Sequence, residues 1–217
     1  MKPIIMKQFF LQYLTVLSFF LLLASACTQT AEEEQQTTEQ TPAAAETLPD
    51  SVYLSRGGEI VQKTFATLSS HLKASLQKEG VEGAVAYCHL NASPLVDSLS
   101  RAYGAQIRRT SLKIRNPQDA PDAYEQKALA KAAAAHEKGE RISPWIERLP
   151  ASDSAQGEVA YYAPIYTLPL CLKCHGTPGE TLAESDYAVI KKHYPDDQAI
   201  GYQAGDWRGL WSIRFKE

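Results

Sequence analysis

The chain has 217 residues and a formal net charge of −3 at pH 7. Residues 1–50 hold two of its 22 basic and six of its 25 acidic residues, so the segment 51–217 has 20 basic and 19 acidic residues. This near-neutral balance argues against nucleic-acid binding, which requires a strongly basic surface, and a segment of about 165 residues fits one domain.

Residues 1–26 have the pattern of an export signal, in which Lys2 and Lys7 precede an apolar run from Phe9 to Leu23. Three small residues then lead to Cys27. This arrangement resembles a bacterial lipobox, which implies that Cys27 becomes the lipidated first residue of the mature protein. An uncleaved anchor helix is the alternative. Both interpretations predict a domain that lies outside the cytoplasm and is tethered to a membrane.

Residues 27–50 form an acidic, polar segment with almost no large apolar side chains. Such a segment cannot bury enough surface to offset its ordering entropy, so we predict a disordered tether. Cys27 is followed by Thr28 and Gln29, so the aspartate that retains lipoproteins in the inner membrane is absent. By resemblance to lipoprotein sorting rules, this favours the outer membrane. The predicted location is therefore the periplasmic side of a bacterial membrane.

The domain 51–217 contains helical and extended patterns. Helices are predicted over 51–79, which Gly80 closes, over 94–103, over 121–138, which Gly139 follows, and over 186–193. Strands are predicted over 105–115, 157–167 and 208–215. The apolar stretch 81–91, which carries Cys88 and His89, separates the first two helices. Helices at the start and scattered strands later predict an α+β domain around an antiparallel sheet.

The most specific motif is Cys-Leu-Lys-Cys-His at 171–175. This is the spacing for covalent attachment of haem c, in which Cys171 and Cys174 bind the vinyl groups and His175 ligates the iron. A redox-active CxxC and half of a zinc site are the alternatives. However, the motif lies late in the chain, and the sequence has no second CxxC to complete a zinc site. We therefore predict one covalent haem c as the cofactor.

Iron bound through His175 requires a second axial ligand, water or an empty position. The two methionines, Met1 and Met6, lie in the predicted signal, which leaves Cys88 and the histidines as candidates. Cys88 has no other predicted role and lies in an apolar stretch, so it is the favoured distal ligand. A buried structural cysteine is the alternative, and the adjacent His89 is a competing ligand.

Four sequence blocks carry a resemblance to a known family. They are AVAYCHLNASP at 84–94, RRTSLKIRNPQDAPDAYE at 108–125, CLKCHG at 171–176 and YPDDQAIGYQAGDWRGLWSI at 194–213. They resemble a family of single-haem proteins, long described as a domain of unknown function. The resemblance implies a PAS-like antiparallel sheet with flanking helices that enclose one covalent haem c. It also implies that His175 is the proximal ligand and Cys88 the distal ligand.

Three arginines lie close together in the second block: Arg108, Arg109 and Arg115. Burying the two haem propionates requires partners for their charge. We predict Arg109 and Arg115 as these partners, with Ser111 adding a hydrogen bond; a solvated surface is the alternative.

A haem with protein ligands on both sides has no open position, which favours one-electron transfer or redox sensing over substrate turnover. The sequence therefore predicts an exported, membrane-tethered monohaem cytochrome that acts with a separate redox partner protein. It is more an electron carrier or redox sensor than an enzyme. The alternatives are a sulfur-compound oxidoreductase of the thiosulfate type and a gas-binding haem sensor.

Overall fold

The computed structural model describes residues 48–150 and 157–217. The predicted signal 1–26, the lipidation site Cys27 and most of the predicted tether lie outside the described residues. Within the described part, no helix is long and apolar enough to cross a membrane.

The longest element is helix α1, Asp50–Tyr103, which Gly80 interrupts with a φ of 66° and a ψ of −160°. Glycine adopts a positive φ without the steric cost that a Cβ would impose. The predicted helix end at Gly80 is therefore confirmed as a break between two helical segments, 50–79 and 81–103. The stretch 81–91, which the sequence left unassigned, is part of the second segment. That segment ends at Gly104, which has a φ of 60°.

Four strands form one antiparallel sheet. They are β1, Gln106–Thr110; β2, Trp145–Leu149; β3, Glu158–Tyr166; and β4, Trp207–Lys216. Their order in the sheet is β1-β4-β3-β2, so β3 and β4 are the central strands. The sequence did not predict β2. The predicted strand 105–115 stops at Thr110, because the Lys113 N–H donates to the Ser111 hydroxyl at 3.1 Å in a local turn.

The remaining helices are α2, Ala123–Glu137; α3, Leu172–His175; and α4, Glu184–His193, with short 3-10 turns at Pro117–Asp119 and Pro169–Cys171. A capping box begins α2. The Asp122 carboxylate accepts from the N–H groups of Tyr124 and Glu125, and the Glu125 carboxylate accepts from the Asp122 N–H.

Helices cover both faces of the sheet. Tyr53 and Ile60 of α1 pack on Val159 and Ile213 on one face. Ala128, Leu129 and Ala132 of α2 pack on Ala160, Tyr162 and Leu210 on the other. Because successive strand residues point to opposite faces, β3 contributes to both clusters. The predicted α+β class, with a PAS-like antiparallel sheet and flanking helices, is confirmed.

Candidate functional site

Two adjoining cavities lie between α1 and the segment that carries the CxxCH motif. They share Leu72, Cys88, Cys171 and His175 as lining residues. Apolar side chains from α1 contribute much of the wall, namely Phe65, Leu68, Leu72, Leu76, Ala84, Val85 and Ala92. We call the two together the central cavity.

The CxxCH motif folds as a 3-10 turn followed by one turn of helix. Cys171 is the last residue of the 3-10 turn, and its N–H donates to the Leu168 carbonyl at 2.8 Å. Helix α3 follows and carries Cys174 and His175. Residues three and four apart on a helix share a face, so all three side chains line the central cavity. Gly176 follows, where a Cβ would overlap the Thr181 hydroxyl. The local fold thus presents both thiols and the imidazole on one side.

The described cysteines, Cys88, Cys171 and Cys174, are all free thiols. Burial raises the pKa of the Cys174 thiol to about 11. A thiol with a raised pKa is a weaker nucleophile, so Cys174 is not the activated thiol of a redox-active CxxC. Nor do the described residues include any group of three His, Cys, Asp or Glu side chains placed to hold a metal ion, as a zinc site would require.

The imidazole of His175 is held in one tautomer. Its Nδ1 lies 2.7 Å from the Ala199 carbonyl oxygen. A carbonyl can only accept a hydrogen bond, so Nδ1 carries the proton and Nε2 keeps its lone pair. Burial, together with the positive charges of Arg208 and Arg115, lowers the pKa of His175 well below its usual range. A neutral imidazole with a fixed tautomer is ready to ligate a metal through Nε2.

Arg115 holds the backbone of the CxxCH motif in place. Its Nε and Nη2 each donate to the Asp197 carboxylate at 3.0 Å, and Nη2 also donates to the Cys174 carbonyl at 2.5 Å. Asp197 in turn accepts from the Ala199 N–H at 2.9 Å, next to the carbonyl that holds His175. Arg115 was predicted to pair with a propionate. That pairing stays a prediction; within the protein, the Nε and Nη2 of Arg115 position the motif.

The structure brings Cys88, but not His89, to the central cavity. Cys88 lines both parts of it, across from the CxxCH residues. Burial raises the pKa of the Cys88 thiol, and the charges of Arg109 and Arg115 oppose that effect. His89 is exposed and lines neither part; its ring lies against His193 and Tyr194.

Two arginines at one end of the central cavity lack a hydrogen-bonded anion among the described residues. Arg109 has no hydrogen-bond or ion-pair partner among the described residues, and the buried Nε of Arg208 has none either. Burial lowers the pKa of Arg208 to about 10. A buried cation without a partner is costly, so these two side chains fit a ligand that carries carboxylates. Arg208 was not among the predicted site residues, although an arginine at the start of an apolar strand was a visible signal.

The charges of a small neighbouring cavity agree with this interpretation. Its charged lining residues are Arg109, Lys113, Arg115, Asp119 and Arg208. Arg115 is neutralised by Asp197, so three cations face one carboxylate and two positive charges remain. Two propionates would balance them.

Ser111 has a structural role that differs from the predicted one. Its hydroxyl donates to the Arg208 carbonyl at 2.6 Å and accepts from the Lys113 N–H at 3.1 Å. The single hydroxyl proton is therefore used within the protein. The hydrogen bond from Ser111 to a propionate stays a prediction; within the protein, the residue fixes the backbone that carries Arg208.

The fold and the site together define an α+β domain with an amphipathic cofactor cavity, in which thiol, imidazole and guanidinium groups converge. The chain belongs to the Tll0287-like family, whose model, Tll0287, matches residues 23–216. This confirms the resemblance to a haem-binding, cytochrome-like family.

Among solved structures, the chain is similar to one described as the crystal structure of the cyanobacterial heme-protein Tll0287. The two are 23% identical, with a TM-score of 0.49, over 79% of this chain and 98% of the other. No curated protein matches the chain.

Proposed function

We propose that the protein is an exported, membrane-tethered monohaem c-type cytochrome that transfers or senses single electrons. Cys171 and Cys174 attach the haem, and His175 and Cys88 are its axial ligands. One observation carries the proposal: Cys88 and the CxxCH residues line one apolar cavity that ends in unpaired guanidinium groups. Haem has the same division into an apolar ring and two carboxylates.

Bound haem supplies a ferric/ferrous couple that exchanges one electron. The residues of the chain set its properties. His175 offers Nε2 because the Ala199 carbonyl fixes its Nδ1 proton. Cys88, as a thiolate, donates electron density and negative charge, and both favour the ferric state and a low potential. Arg109 and Arg208 would pair with the propionates, and the apolar wall would exclude water.

With both His175 and Cys88 bound to the iron, no position would remain for a substrate. This is why we prefer electron transfer or sensing to the two alternatives, a thiosulfate-type oxidoreductase and a gas-binding sensor. Purified holoprotein should show no thiosulfate oxidation with an artificial electron acceptor, and the reduced form should not bind CO. Turnover would support an enzyme, and a CO adduct would support a gas sensor.

The ferric absorption spectrum tests the axial ligation. The wild-type holoprotein should be low-spin with a thiolate charge-transfer band. Cys88→Ala should lose that band and raise the reduction potential, because a negative, electron-donating ligand is removed. His89→Ala is the matched control and should leave both unchanged. If instead His89→Ala alters the spectrum and Cys88→Ala does not, the distal ligand is His89.

The tether is tested separately at Cys27. Cells that express the protein with a labelled fatty acid should label the wild type and Cys88→Ala, but not Cys27→Ala. Membrane fractionation should then find the labelled protein in the outer membrane. Label retained by Cys27→Ala would contradict the lipobox interpretation without affecting the haem proposal.

A further inference from the structure

We infer that His89 and His193 form a second metal site, a surface pair of imidazoles that binds one divalent transition-metal ion of the Cu²⁺, Ni²⁺ or Zn²⁺ class. The pair lies outside the central cavity, where α1 meets α4. The inference does not depend on haem binding, because neither residue lines that cavity.

The two rings face each other across the contact between the helices. His89 is exposed on the second segment of α1, and His193 is the last residue of α4 and is half-buried. Their ring centroids are 5.1 Å apart, with an interplanar angle of 48°. Neither ring has a hydrogen-bond partner within the described part of the chain, in contrast to His175, which has one. Imidazole nitrogens without partners are available as ligands.

The spacing fits two imidazoles on one metal ion. With a metal–nitrogen distance of about 2.0–2.1 Å, a ring centroid lies about 3.2 Å from the ion. For ligand angles between about 90° and 110°, which cover square-planar and tetrahedral sites, the two centroids are then about 4.5–5.2 Å apart. The observed 5.1 Å lies in this range. Rotation about χ2 of histidine is broad, so an exposed ring can turn a nitrogen toward the ion at little cost.

Buried packing fixes the distance between the two helices. Val85 of α1 packs with Ile190 of α4, Leu182 and Tyr194 in one apolar cluster. The ring of Tyr194 also lies edge-on to His89 at 5.2 Å. The backbones that carry the two histidines are therefore held in place before a metal arrives, which lowers the cost of binding.

The described residues place no third His, Cys, Asp or Glu side chain at the pair, so water completes the coordination. Such a site is open and exchanges its ion readily. Imidazole ligands favour copper, nickel and zinc over magnesium or calcium, and copper binds most tightly in this series. A bound ion would link the helix that carries Cys88 to α4 and stabilise the folded protein by mass action.

Calorimetric titration of the full-length holoprotein with Ni²⁺ and Zn²⁺ tests the site, with electron paramagnetic resonance of added Cu²⁺ as the spectroscopic readout. We expect one ion per chain and a copper signal with nitrogen hyperfine structure. His89→Ala and His193→Ala should each weaken binding at least tenfold and remove the signal. The exposed His71 and His136, each beside one aromatic ring, give matched controls, and their alanine variants should bind as the wild type.

Absence of binding to the wild type, or binding that survives both His89→Ala and His193→Ala, would overturn the inference. Loss of binding in the His71 or His136 variant would do the same. The urea unfolding midpoint of each variant checks that the fold is intact, and the ferric haem spectrum is read only in variants that pass this check. A spectrum altered by His89→Ala would mean that this imidazole serves the iron, which also refutes the pair.

Discussion

Replacement of Arg115 by methionine should strongly destabilise the protein. The Asp197 side chain is fully buried, and that of Arg115 is 14% exposed. Removal of the guanidinium leaves the carboxylate buried without a partner, which costs about 3–5 kcal/mol. The Cys174 carbonyl also loses its donor. In a domain of this size, each kcal/mol lowers Tm by about 2–4 °C, so we expect a decrease of roughly 6–20 °C.

Urea unfolding of the holoprotein measures the free energy of unfolding directly. Asp50→Asn is the control, because it removes an ion pair with Arg148 in which both side chains are largely exposed, at 65% and 40%. That change should cost less than about 1 kcal/mol. Adding Asp197→Asn to Arg115→Met should recover part of the loss, since a neutral amide replaces the unpaired charge. If Arg115→Met costs no more than Asp50→Asn, the positioning role of Arg115 is wrong.

Three further predictions follow from the structure. Arg208→Met should lower the reduction potential in a redox titration, because removal of a buried positive charge favours ferric iron. Burial tends to raise the pKa of Asp122, but hydrogen bonds from backbone N–H groups and from Arg214 hold it below the usual 3.8. Its stabilising effect is therefore present above about pH 4 and is lost at lower pH, so Asp122→Asn should reduce the acid dependence of the urea midpoint. Gly57→Ala should cost about 1–3 kcal/mol, because a Cβ there would overlap the Tyr161 ring.

Each of these changes has a control. Arg141→Met removes an exposed arginine and should leave the potential unchanged. Asp122→Asn keeps a side-chain oxygen that can cap α2. A change in the free energy of unfolding at neutral pH therefore reflects the loss of the negative charge and not the loss of the cap. Gly58→Ala places its Cβ at an ordinary 3.7 Å from the Tyr161 hydroxyl and should not destabilise. An equal loss in the Gly57 and Gly58 variants would refute the packing argument.

The sequence predicted features that depend on neighbouring residues. The spacing of 171–175 fixes the positions of its thiols and imidazole within one helical turn. Gly80 and Gly104 mark helix ends because both adopt a positive φ. In the same way, acidic residues before an alanine-rich run predicted the start of α2. Such signals act over three or four residues, so they can be read without knowledge of the tertiary fold.

Features that depend on distant residues were not predictable in this way. Arg115 and Asp197 are 82 positions apart, and only the fold shows that they form a buried pair. Ser111 likewise meets the Arg208 carbonyl across 97 positions. The short strand β2 is defined by its pairing with β3 rather than by its own pattern. These contacts give Arg115 and Ser111 partners within the protein that the sequence did not indicate, and they add Arg208 to the site.

The intact mass of the purified protein tests the central claim most directly. Expressed in a host that matures c-type cytochromes, the wild type should carry the added mass of one haem per chain, and the haem should survive acid–acetone extraction. The Cys171→Ala, Cys174→Ala double variant should lack that mass. A folded wild-type protein that is purified from such a host without haem, or with zinc in its place, would contradict the account.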